Sequence, residues 1–450
     1  MLSSSVTTLA SLSDEIPAVL AGHREYVPHV VAWNLTRRCN LECAHCYISA
    51  GPSESADGEM TTQECLRIAE EILQLNPSPM FILSGGEPLL RDDLTTIAAF
   101  ASKRGATVVV GTNGTLLTND RIAALKDAGV SGVAVSVDSL DQRYHDNFRH
   151  GRGSLEATTQ ALARLREHRM DFIIQTTATK GNRSELSRLV AWAAEQGAVS
   201  FNLYFLVATG RGARLSDLSP AEYELLLAEL VTLQRQYLGR MMVRSKCAPH
   251  FMRHLHQAAP ESPILNYETR CPCGVQYCRI TPDGKLTPCP YTPLPAGDLR
   301  TQSFAEVWNN SPLFQELRSR TLGGKCGRCE YQRVCGGCRA RALALEGDIM
   351  AADPSCVYEP TGDIPVIERA QTVTYGMHVE QGMRWSPDAE ARVKRIPSFV
   401  RGVVTKRLED YARRQGLSEV TVGLMAEVRS AMPIDFSKRK PFFLSNELDD

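Results

Sequence analysis

Between residues 30 and about 206, short β-branched apolar runs alternate with longer stretches whose apolar positions recur at helical spacing. The runs at 30–36, 80–84, 107–111, 132–137, 172–178 and 199–206 read as strands. The stretches at 61–75, 91–103, 118–128, 154–168 and 183–196 read as amphipathic helices. Strict β–α alternation predicts a parallel sheet with right-handed crossovers. Six such strands suit an open partial barrel or a doubly wound sheet, and the pattern does not choose. In either fold, chemistry gathers at the carboxyl ends of the strands.

Beyond the alternating region the pattern changes. Residues 219–240 read as a helix introduced by Ser219-Pro220. From 271 to 358 the chain is dense in Cys, Gly and Pro, a composition that builds little core and calls for metal staples. Helical periodicity returns in short pieces from about 384, with Pro387 and Pro397 placed as early-helix residues. The expected organisation is a lead-in (1–29), an α/β unit (30–240), a cysteine-rich unit (241–358), a linker (359–383) and a small basic helical unit (384–450).

Composition narrows the picture. The chain has 450 residues, 43% of them hydrophobic, enough for two or three domains. Its 50 basic and 51 acidic side chains nearly cancel, so no global field points to nucleic acid or an anionic membrane. No apolar run reaches the roughly 18 residues of a membrane span. The opening segment lacks the basic start and apolar stretch of a secretory signal, so a cytoplasmic location is expected. Fourteen cysteines in such a chain point to metal or redox chemistry rather than disulfides.

The first cysteine group directly follows the first strand, as Cys39-Asn-Leu-Glu-Cys43-Ala-His-Cys46-Tyr. Three thiolates on a tight loop can hold three irons of a four-iron cubane and leave the fourth open to an outside ligand. A zinc site completed by His45 fits the same spacing. One strand and helix later, the second strand ends in Ser84-Gly85-Gly86-Glu87-Pro88, where paired glycines let backbone approach a neighbour closely.

Together these residues resemble the radical S-adenosylmethionine (SAM) superfamily. Its Cys-x3-Cys-x-aromatic-Cys signature is matched by Cys39, Cys43, His45 and Cys46, and its Gly-Gly-Glu motif by Gly85, Gly86 and Glu87, followed by Pro88. The resemblance covers 30 to about 206 and implies a partial (β/α)6 barrel. It implies a [4Fe-4S] cluster on the three cysteines, with His45 near the adenine and Gly85, Gly86, Glu87 and Pro88 around the methionine ammonium. Ser136 and Asp138, at the end of the fourth strand, become candidates for the SAM ribose, although an ordinary helix cap explains them equally. Thr112-Asn113-Gly114 after the third strand recurs in relatives and is physically a turn. The implied reaction is reductive cleavage of SAM to methionine and a 5′-deoxyadenosyl radical, which takes a hydrogen atom from a second substrate. A low-potential donor such as a ferredoxin or flavodoxin would supply the electron.

The second cysteine group is Cys271, Cys273, Cys278 and Cys289, then Cys326, Cys329, Cys335, Cys338 and Cys356. Spacing admits zinc or iron–sulfur. The region resembles the SPASM extension of radical SAM enzymes, which carries two auxiliary [4Fe-4S] clusters. That resemblance assigns Cys273, Cys278, Cys289 and Cys338 to one cluster, and Cys326, Cys329, Cys335 and Cys356 to the other. Whether Cys271 or Cys273 is the first ligand stays open, and Cys335-Gly-Gly-Cys338 has one intervening residue fewer than the general pattern. Cys65 and Cys247 read as packed thiols.

The tail, from Trp385 to about Leu417, carries an excess of basic side chains and reads as a solvated helical cap. It also resembles the small carboxyl-terminal domain of a light-independent protochlorophyllide reductase subunit, which implies a tetrapyrrole context in which basic groups receive propionates. Relatives with these parts act on tetrapyrrole side chains or mature ribosomal peptides. The tetrapyrrole is favoured: about 30 residues before the barrel leave no room for a leader-binding domain. Moreover, Pro290 stands where the sulfatase-maturing branch has Asp. An iron–sulfur electron carrier is the competing class, but it leaves a three-cysteine loop beside Gly-Gly-Glu unexplained. No catalytic acid or base can be named.

Overall fold

The computed structural model describes residues 26–430, except 216–217, 267–269, 320, 369–380, 395 and 397. Most of the expected lead-in, residues 369–380 of the expected linker, Pro397 and the last twenty residues therefore lie outside the described part.

Seven parallel strands follow in sheet order as in sequence: β1 (Val30–Asn34), β2 (Met80–Ser84), β3 (Thr107–Thr112), β4 (Val130–Ser136), β5 (Phe172–Ala178), β6 (Ser200–Phe205) and β7 (Met242–Lys246). Three more extend the sheet beyond β1. β8 (Tyr277–Ile280) pairs parallel to it, and β9 (Lys285–Thr287) and β10 (Gly297–Asp298) continue antiparallel. Helices α1 (Thr62–Leu75), α2 (Leu94–Lys103), α3 (Asn119–Asp127), α4 (Gln142–Arg149), α5 (Ser154–Glu167), α6 (Leu186–Glu195), α7 (Pro220–Gln236) and α8 (His250–Ala258) make the connections.

This order decides between the two folds left open above. Every crossover from β1 to β7 steps the same way, so right-handed connections place all the helices on one face. A doubly wound sheet reverses direction midway; this one does not, and it curls into a partial barrel with a free inner face. Side chains alternate accordingly. Val31, Trp33, Phe81, Leu83, Val108, Val110, Val135 and Ile174 point outward into the helix-covered core, each fully buried. Ala32, Ile82, Val109, Ala134, Ser136, Gln175, Asn202 and Tyr204 point into the barrel.

Local signals set the helix starts. α1 opens on a capping box in which Thr61 and Glu64 exchange side-chain and backbone hydrogen bonds, and buries Cys65, Ile68, Ala69, Ile72 and Leu73. Ser219 and Glu222 form the same box before α7, with Pro220 in its first turn. α4 and β7 do not appear in the sequence pattern because α4 is almost wholly polar and β7 is short, with three polar positions in five. In the cysteine-rich stretch, Phe304, Val307, Trp308, Phe314 and Leu317 join the barrel core instead of forming their own.

The tail has a separate core of Trp385, Ala389, Val393, Ile396, Leu408, Ala412, Val420, Leu424, Met425 and Val428. It is pinned by buried Glu409, which accepts hydrogen bonds from Trp385 Nε1 at 3.0 Å and the Gly382 N–H at 2.9 Å.

Candidate active site

β1 carries the chain out at the carboxyl edge of the sheet and into the first cysteine loop. Arg211 clamps that loop: its Nε donates to the Cys43 carbonyl at 2.9 Å and an Nη to the Ala50 carbonyl at 2.6 Å. The neighbouring Gly210 has φ +56°, and a Cβ there would meet the Cys46 and Tyr47 carbonyls at 2.5 Å, so only glycine lets the clamp close. Burial pushes the Cys39 thiol up to about 12 and raises Cys43 as well. Ionised sulfurs here need a strong positive partner, which iron coordination provides.

Gly85 and Gly86 face the cavity, but their lack of side chains answers first to the protein. A Cβ on either would collide with the backbone of Thr36 or Arg38, and the Gly86 N–H donates to the Thr36 carbonyl at 2.7 Å. The pair thus presses the end of β2 against the approach to the cysteine loop. Glu87 and Pro88 do not line the cavity. The Glu87 carboxylate is fully buried and accepts from Thr112 Oγ1 and the Asn113 N–H at 2.9 Å, and from the Leu89 N–H at 3.2 Å. It therefore ties the ends of β2 and β3 together, and desolvation raises its pKa to about 7 despite those bonds. Asn113, whose turn Glu87 holds, does line the cavity.

His45 stacks on Phe148 with ring centroids 4.7 Å apart and planes 3° from parallel. Desolvation lowers its pKa to about 4 although Asp138 lies 3.9 Å away, so the ring is neutral near pH 7. Its Nδ1 is buried with no hydrogen-bond partner among the described residues. Asp138 is engaged by Arg149 at 2.7 Å and by the Thr177 N–H at 2.8 Å. Ser136 lines the cavity beside it. Sequence reasoning missed Arg149 because it ends α4, which has no apolar periodicity.

The later cysteines form two sets. Cys326, Cys329, Cys335 and Cys356 line one small pocket, the same four grouped from the sequence. Cys271, Cys273, Cys289 and Cys338 line the main cavity, with the Cys271 and Cys273 sulfurs 3.2 Å apart. Cys278 is not among them. It alternates outward on β8 opposite Val31 and is fully buried in the core, while Tyr277 takes the inward position. Cys247, expected to be a packed thiol, instead stands on the cavity wall at φ +59°. Cys65 is packed as expected. The short Cys335-to-Cys338 interval is explained by Gly336 and Gly337, at φ +66° and +67°. Two left-handed residues in succession turn the chain so that its cysteines serve different pockets.

No three His, Cys, Asp or Glu side chains among the described residues are gathered closely enough to hold a metal ion as they stand. The cysteines of each set instead line a common cavity, the place where a multi-iron body would be held. The main cavity has a volume of about 750 Å³ and runs through the barrel interior. Its wall includes Cys39, Cys43 and Cys46 together with Tyr47, Tyr204, Tyr277 and Tyr291. That size suits a cofactor with a second ligand.

The Radical SAM superfamily profile matches residues 33–193, an iron–sulfur cluster-binding domain matches 271–339, and the proto-chlorophyllide reductase 57 kD subunit matches 385–429. An AdoMet-dependent heme synthase of Methanosarcina barkeri is 40% identical over 343 residues, covering 74% of this chain and 97% of that one. The chain belongs to the radical SAM superfamily and is an enzyme that uses SAM and [4Fe-4S] clusters. A pre-heme d1 synthase of Dinoroseobacter shibae is 32% identical over 351 residues, covering 73% of this chain and 85% of that one. Among solved structures, Streptococcus suis SuiB bound to S-adenosylmethionine superposes with a TM-score of 0.61 at 18% identity, covering 76% of this chain and 80% of that one, a likeness of fold.

Proposed function

We propose that this enzyme modifies the carboxylate-bearing side chains of a tetrapyrrole by hydrogen-atom abstraction. The supporting observation is a single cavity that joins the Cys39–Cys43–Cys46 loop to a tyrosine-rich apolar wall. The names of relatives aligned over three quarters of the chain favour the same substrate class. When bound, the three-cysteine cluster and SAM supply a 5′-deoxyadenosyl radical that removes one hydrogen atom from the substrate.

The chain's own residues have separable tasks. Cys39, Cys43 and Cys46 hold the first cluster, with the loop set by Arg211. Gly85, Gly86, Asn113 and Ser136 offer the polar wall for SAM, and neutral His45 offers an unpartnered ring nitrogen. Glu87 and Arg149 act behind that wall as positioning residues. Cys271, Cys273, Cys289 and Cys338 hold one auxiliary cluster, and Cys326, Cys329, Cys335 and Cys356 the other. A low-potential ferredoxin or flavodoxin supplies electrons in the cytoplasm, where the thiols stay reduced.

The test is anaerobic incubation of the reconstituted enzyme with SAM, dithionite and an iron porphyrin bearing propionates. 5′-Deoxyadenosine should form faster with the porphyrin present, together with a change in porphyrin mass. Formation that ignores the porphyrin while responding to a peptide would refute the substrate assignment.

A further inference from the structure

We infer that the carboxyl-terminal domain supplies part of the catalytic cavity wall, and that Arg392, Arg407 and Arg429 on it bind the substrate's carboxylates. The inference deepens the tetrapyrrole reading and rests on it. All three arginines line the same cavity as the first cysteine loop, and all three are half-buried. Each has an apolar cavity-lining residue three or four positions away in the chain: Ile396 for Arg392, Val404 for Arg407, and Met425 for Arg429. Three segments thus present the same pairing of apolar surface with a cation.

These arginines differ from others in the tail. Arg384 pairs with Glu419 at 3.2 Å, Arg413 pairs with Glu409 at 2.9 Å, and Arg401 donates to the carbonyls of Ile396 and Lys394. The side chains of Arg392, Arg407 and Arg429 make no hydrogen bond or ion pair with any described residue. Nor does the cavity offer them a counter-charge. Asp138 is the one carboxylate among its described lining residues, and Arg149 holds it. Arg211 is engaged by the cysteine-loop carbonyls. Guanidinium groups without a partner among the described residues, beside apolar surface and facing a cavity walled by tyrosines, fit a flat conjugated ligand with several carboxylates at its edge.

The experiment uses the full-length, cluster-loaded protein and two probes, coproporphyrin III and its tetramethyl ester. Binding is followed by the change in Soret absorbance, without turnover. Each of R392Q, R407Q and R429Q should weaken the free acid about tenfold, the triple variant should weaken it at least a hundredfold, and R407K should retain most affinity. The ester should bind wild type and variants alike. Unchanged affinity of the acid for the triple variant overturns the inference, as does equal weakening of acid and ester. Wild-type protein that binds neither probe refutes the tetrapyrrole reading itself, whereas binding insensitive to the arginines refutes only their role.

Discussion

Replacing Arg149 with methionine would expose how strongly the site depends on one buried pair. Arg149 and Asp138 are 4% and 1% exposed and meet at 2.7 Å. Without the guanidinium, the Asp138 carboxylate retains the Thr177 N–H at 2.8 Å and the His45 ring at 3.9 Å. Stranding one member of a buried pair costs about 3–5 kcal/mol, most of it the desolvated charge left behind. The double variant Arg149→Met with Asp138→Asn removes that charge while keeping an acceptor for Thr177, and should recover most of the loss. Anaerobic urea unfolding, read by tryptophan fluorescence, measures all corners of the cycle. A single variant that loses less than about 1 kcal/mol would refute the reasoning, since that is the range of an exposed pair. A double variant no better than the single would refute it as well.

Other expectations follow from the same geometry. Cys278→Ala should keep the full iron complement of the wild type, while Cys271→Ala should lose iron; the reverse in an iron and sulfide assay would restore Cys278 as a ligand. Gly337→Ala should lose iron from both auxiliary sets, because at φ +67° the added Cβ meets Asp353 Cβ at 2.7 Å and disturbs the turn they share. Glu87 gives a pH signature: raised by desolvation from 4.5 to about 7, it keeps a proton in the fold that the unfolded chain has already released. Stability therefore falls as pH rises through that window, by up to about 3 kcal/mol. Glu87→Gln should flatten the slope between pH 5.5 and 7, and an identical slope in both proteins would show that another group titrates.

Much of the architecture is legible from residue order. Thr61-x-x-Glu64 and Ser219-Pro220-x-Glu222 mark helix starts because capping chemistry acts over three residues. The Cys39–Cys46 loop is recognisable because its ligands lie within one turn of chain. Cys326, Cys329, Cys335 and Cys356, assigned together by the SPASM resemblance, line one pocket, whereas Cys338, three residues from Cys335, lines the main cavity. α4 escaped detection because its polar residues serve the site instead of the core, so no apolar period announces it.

Strand identity, βα alternation and the clustering of thiols are thus properties of the sequence alone, since each depends on contacts between near neighbours. The direction a residue faces across the molecule is not. Only the folded sheet turns Cys278 outward and Tyr277 inward, brings Cys247 to the cavity, engages Asp138 with Arg149, and sets three tail arginines on the barrel's cavity. Packing of the whole barrel, with no local preference to guide it, selects those orientations.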